Sequence, residues 1–184
     1  MTHTPYPPDS VNNYPGVEPG ESWSIPDDNG TMPENVAELA KYVVGRRIIK
    51  AENGQTVNLG PYDGKRNCYG ETLTGLVLTL DNGVRVVIAD TWDCCASTSL
   101  EKFLLHPESV DHVITGVAST DGFTKWHIFA DFGDVMELEV GWSAGNPFYY
   151  GYGFDIAVAP LEGEIVPEKP ELPATARRAL EAGW

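Results

Sequence analysis

Cysteine is scarce in this chain, positive charge is thin, and long apolar runs are missing. Three cysteines among 184 residues, Cys68, Cys94 and Cys95, are too few and too oddly numbered for a disulfide framework. That usage suits a reducing compartment. The 12 Lys and Arg stand against 27 Asp and Glu, a formal net charge of −15. Phosphate backbones are held by clustered basic residues, and the nearest thing to a basic patch here is Arg46–Arg47, with Arg177–Arg178 near the other end. Nucleic acid is therefore not an expected partner. No apolar run nears the roughly 18 residues of a membrane span, and the start lacks a basic segment followed by an apolar one. The expected address is the cytoplasm of a bacterial host, or a virion, with no membrane partner.

Proline is plentiful but unevenly placed. Residues 1–33 hold Pro5, Pro7, Pro8, Pro15, Pro19, Pro26 and Pro33, and Pro160, Pro167, Pro170 and Pro173 cluster near the other end. Proline removes a backbone donor and restricts the residue before it, so such stretches build neither ladders nor helices. The reading is an extended arm over 1–33, one folded domain over 34–159, and a tail over 160–184. Within the tail, Ala174–Ala182 reads as a short helix between Pro173 and Gly183.

Inside the core, Asn35–Val44 has apolar residues at 36, 39, 40, 43 and 44, a helical stripe. Arg46–Ala51 reads as a strand ending at Asn53-Gly54. Thr74–Leu80 and Val84–Ala89 alternate, and Asp81-Asn82-Gly83 joins them as a hairpin. Ser97–Leu105, with Ser97–Ser99 as cap, Glu101 in the first turn and Pro107 beyond, reads as a second short helix. His112–Ser119, Lys125–Asp131 and Val135–Trp142 form an antiparallel meander, and Phe148–Ala159 is the last strand. The fold class is α+β: a mainly antiparallel sheet of about six or seven strands, two short core helices and a C-terminal helix.

Chemistry-bearing motifs are few. No phosphate loop, dinucleotide fingerprint, nucleophile elbow or His-Glu-x-x-His occurs, so no cofactor is expected. Cysteine and histidine show no spaced ligand pairs, and Asp131–Asp134 lacks the spacing of a calcium loop, so no metal is expected. Cys94 or Cys95, in the loop 91–97, is a candidate nucleophile that would need a base from His106, His112 or His127. The competing reading, buried structural thiols, is favoured because free cysteine is usually buried. In an extended Phe148–Ala159, Phe148, Tyr150, Tyr152, Phe154, Ile156 and Val158 line the core face. Tyr149, Gly151, Gly153 and Asp155 line the other. That second face is flat, so it is either packed under a helix of the same chain or a contact surface flanked by Tyr149 and Trp142.

The series Val44-Gly-Arg-Arg-Ile48, Leu78-Thr-Leu-Asp-Asn-Gly83, Asp93-Cys-Cys95, Val113-Ile-Thr115 and Tyr149-Tyr-Gly-Tyr-Gly-Phe154 resembles an uncharacterised family of small proteins. That family is found mainly in actinobacteriophages and their hosts. The resemblance spans about 44–158 and implies a phage setting; it brings no activity and no catalytic residue. The leading expectation is a non-enzymatic protein-interaction module, plausible as a phage accessory or virion-associated protein, whose partner is another protein of host or phage. Two alternatives stand beside it. One is a cysteine-dependent enzyme using the 91–97 loop; the other is a carbohydrate-binding module using Trp92, Trp126, Trp142 and the tyrosines.

Overall fold

The computed structural model describes residues 4–7, 9, 28, 30–62, 70–145 and 151–159. The expected C-terminal helix, Cys68 and Tyr149 lie outside these residues. The described chain runs α1 (Thr31–Val43), β1 (Ile48–Asn58), β2 (Thr72–Leu80), β3 (Arg85–Ala89), β4 (Thr91–Trp92), β5 (Ser97–Leu105), β6 (Gly116–Thr120), β7 (Lys125–Ala130), β8 (Gly133–Ser143) and β9 (Asp155–Ala159). The nine strands make two sheets, β1-β2-β3-β9 and β4-β5-β8-β7-β6, and every pairing is antiparallel. No helix among the described residues is long and apolar enough to cross a membrane.

One core joins helix and sheets. The stripe of α1 supplies Met32, Val36, Leu39 and Val43; the first sheet supplies Leu76, Leu78, Leu80, Val86 and Ile88; the second supplies Trp126, Ile128, Met136, Leu138 and Val140. The 76/78/80 and 86/88 alternation is the expected hairpin, with Leu78 opposite Val86. On the other face of the first sheet, Val77, Val87, Ala157 and Ala159 build a smaller buried cluster with Val57 and Leu59.

Three elements depart from expectation. Ser97–Leu105 is not a helix but strand β5, paired with β8 along its length. Glu101 has no partner between Leu100 and Lys102, a β-bulge. The bulge moves the core-facing set from Thr98 and Leu100 to Phe103 and Leu105, and the resulting spacing from 100 to 103 imitates a helical turn. β1 likewise runs past Asn53-Gly54, which it absorbs as an irregularity with Gly54 at φ 68°. The last strand is shorter than expected: only Asp155–Ala159 pair, and Gly153 at φ 90° ends regular extension before them. Tyr152, Phe154 and Ile156 are buried as expected, whereas Val158 is exposed. The strands are more numerous than expected, and α1 is the one helix among the described residues. The meander is present as β6-β7-β8.

Two residues of the proline-rich arm lie on the outer face of the second sheet. Tyr6 stacks on His127, with ring centroids 4.1 Å apart, and its hydroxyl donates to Asp134. Burial first, and then the Asp134 carboxylate, push the Tyr6 phenol's pKa well up. Asp9 accepts hydrogen bonds from the backbone N–H of Gly122 and Phe123. Phe123 needs that support, because it holds φ 65°, unusual for a bulky residue.

Candidate functional site: an acidic cleft beside Trp92

The segment 151–155 is the keystone of the site. Its backbone is held by side chains where strand neighbours would otherwise stand. Asn35, buried in α1, donates from Nδ2 to the Phe154 carbonyl (2.9 Å) and accepts from the Phe154 N–H at Oδ1 (2.8 Å). The Gly153 N–H donates to Thr98 Oγ1 (2.7 Å), and Thr91 Oγ1 donates to the Gly153 carbonyl (2.7 Å). A side chain at Gly153 would begin 3.2 Å from Thr31 Cγ2 and 3.3 Å from Asn35 Cγ, so α1 covers this glycine closely. Gly151 faces open space. The two glycines therefore do not share one flat strand face.

The start of α1 is fixed in the same way. Asp28 Oδ1 accepts from the Met32 N–H and from the Tyr152 hydroxyl, each at 3.0 Å. That carboxylate satisfies one of the helix's unpaired first-turn donors and ties it to the 151–155 segment. Between them, α1, the segment and β4 enclose a cleft of about 580 Å³.

The cleft's chemistry is one-sided. Among the described residues, its charged lining residues are Glu34, Glu38, Asp93 and Asp155, with no lysine, arginine or histidine. Burial pushes the half-buried Asp155 carboxyl above its ordinary value. Trp92, on the two-residue edge strand β4, lies at the rim with 86% of its surface exposed. Trp126 and Trp142 are buried, and their indole N–H groups donate to the Phe123 and Gly122 carbonyls.

Several sequence-level candidates land differently from their expected places. Trp142 is a core residue stacked on Tyr152, not a flank of a contact surface. Cys94 and Cys95 are exposed, where burial was expected. They sit at the tip of the β4–β5 hairpin, closed by the Asp93 N–H donating to the Ala96 carbonyl and by Asp93 Oδ1 accepting from the Cys94 N–H. With a strand and not a helix at 97–105, the hairpin tip carries them into an exposed position. Neither lines the cleft, and the histidines proposed as bases are engaged elsewhere: His106 with Glu137, His127 with Thr120 and Asp134, His112 against Phe132. Of what the sequence brought forward, Thr91–Asp93 of the 91–97 loop and Gly151–Gly153 meet in one cleft. The contributions of Glu34, Asn35 and Glu38 had no signal beyond their i, i+4 and neighbouring places on one helix.

A small two-sheet α+β domain with this cleft defines the class of protein. The chain belongs to a family described as a domain of unknown function (DUF7448), matched over residues 41–156. No curated protein and no solved structure matches it. The cleft straddles the edge of the matched segment: Trp92, Asp93 and 151–155 lie inside it, and Glu34, Asn35 and Glu38 precede it.

Proposed function

We propose that the chain is a non-enzymatic protein-interaction module whose cleft receives a basic segment of a partner protein. The observation that carries this reading is the pairing, at one concavity, of a tryptophan 86% exposed with four carboxylates and no basic residue among the described residues that line it. An exposed indole face attracts a guanidinium or ammonium group, and carboxylates complete its hydrogen bonding. The net charge of −15 favours the approach of a basic partner over long range. The sequence resemblance to proteins of actinobacteriophages supports a phage accessory or virion-associated setting, with a host or phage protein as partner.

Titration of the full chain with arginine- and lysine-containing peptides, read by isothermal titration calorimetry, tests this. Basic peptides are expected to bind saturably and acidic ones not at all, with Trp92→Ala abolishing binding while leaving the melting temperature in place. Equal binding by Trp92→Ala and the parent chain refutes the reading. The carbohydrate alternative is less well supported, since Trp126 and Trp142 are buried and, among the described residues, Trp92 is the one exposed indole. The cysteine-enzyme alternative is less well supported, since His106, His112 and His127 are each engaged away from the thiols.

A further inference from the structure

The outer face of the second sheet carries a second constellation, independent of the cleft. His127 on β7 stands directly opposite Glu137 on β8, and Asp134 joins them from the start of β8. One donor atom from each lies within 4.8 Å of the others. Asp134 reaches that face only through a bulge. Ile128 pairs with Met136 and Phe129 with Asp134, so Val135 is the extra residue, and it turns into the core. In plain alternation Asp134 would share the core face with Met136 and Leu138. The bulge re-aims it toward His127.

We propose that His127, Asp134 and Glu137 form a binding site for a first-row divalent transition-metal ion. His127 Nδ1 and Asp134 Oδ2 are 2.9 Å apart. Two donors, each about 2.1 Å from a metal, stand about 3.0 Å apart at right angles and about 3.4 Å apart in a tetrahedral site, so a small opening of this pair admits an ion. One imidazole and two carboxylates suit zinc, manganese, iron or cobalt better than calcium or magnesium, which favour all-oxygen sites.

Each ligand also has its own outer partner, as metal ligands characteristically do. Thr120 Oγ1 lies 3.0 Å from His127 Nε2 and serves either tautomer, accepting from Nε2–H when Nδ1 turns to a metal. The Tyr6 hydroxyl donates to Asp134 Oδ1, the oxygen that does not face His127. His106 Nε2 is 2.9 Å from Glu137 Oε1. Lys125 Nζ, 3.6 Å from Glu137 Oε2, competes with a metal ion for this carboxylate. Three ligands, each held by a partner already in place, are oriented before any ion arrives.

The test uses the full chain carrying Cys68→Ser, Cys94→Ser and Cys95→Ser, so that no thiol can bind the probe. Cobalt(II) is titrated by its visible absorption, with zinc(II) as competitor. One equivalent is expected to bind saturably, with nitrogen–oxygen rather than thiolate bands, and zinc should displace it. Glu137→Gln and His127→Ala should each weaken binding by at least about tenfold, and Thr120→Val by about 10–100-fold through the outer partner. Lys125→Met should tighten it. Where His127→Ala lowers the melting temperature, the Thr120→Val and Lys125→Met pair still decides. No saturable cobalt binding at millimolar concentration, or affinity indifferent to all four substitutions, overturns the site.

Discussion

Asn35 takes both backbone groups of Phe154 from a buried position in α1. A buried backbone group left without a partner costs about 1–3 kcal/mol. Asn35→Ala strands two of them, so chemical denaturation should show a loss of about 2–5 kcal/mol. Asp155 acts in the opposite sense. Its folded pKa lies above the unfolded value because burial disfavours the charged form. Ionised Asp155 therefore opposes folding at neutral pH. That cost is relieved as pH falls through the raised pKa, and relief is complete below the unfolded value near about 3.9. Asp155→Asn should melt higher than the parent chain at pH 7, and the gap should close on acidification to about pH 3.5; a gap independent of pH would contradict this assignment. The exposed hairpin tip gives a third residue-scale outcome. A thiol reagent should label Cys94 and Cys95 in the native protein as fast as in the unfolded chain, and Cys94→Ser should change stability by no more than about 0.5 kcal/mol.

At the scale of elements, legibility followed regularity. The hairpin of β2 and β3 alternates without interruption, and its face could be read directly from Leu76, Leu78, Leu80, Val86 and Ile88. The stripe of α1 was equally plain, though the helix begins at Thr31, ahead of the expected Asn35. Where a bulge intervenes, alternation breaks phase, and residues on one face stand three apart. That is how β5 passed for a helix, and how Asp134 and Glu137 escaped notice as neighbours of His127. The short final strand failed for another reason: Gly153 and the side chains of Asn35, Thr91 and Thr98 replace ladder pairing, a long-range fact with no local signature. The bulge account is testable at Glu101. Glu101→Ala keeps the register and should cost about 0.5 kcal/mol or less. Deleting Glu101 turns Phe103 and Leu105 outward, or forces the strand to slip against β8. That deletion should cost about 3 kcal/mol or more. Similar costs for the two variants would contradict the register.

For the molecule as a whole, two sheets and one helix close a shared core, and the candidate cleft sits where all three meet. α1 belongs to the core through Met32, Val36 and Leu39 and to the cleft through Glu34 and Glu38, so core packing sets the spacing of the carboxylates. The sequence conveyed the acidity, the aromatic loop and the glycines. Their convergence depends on chain separations of more than 50 residues, which no local pattern encodes. The most direct test of the interaction-module account is hydrogen exchange on the full chain, with and without a bound basic peptide. Protection is expected to concentrate at residues 31–38, 91–93 and 151–155 and to leave β6 and β7 unchanged. Protection centred on the outer face of β6–β7, or none near Trp92 at saturating peptide, would contradict it.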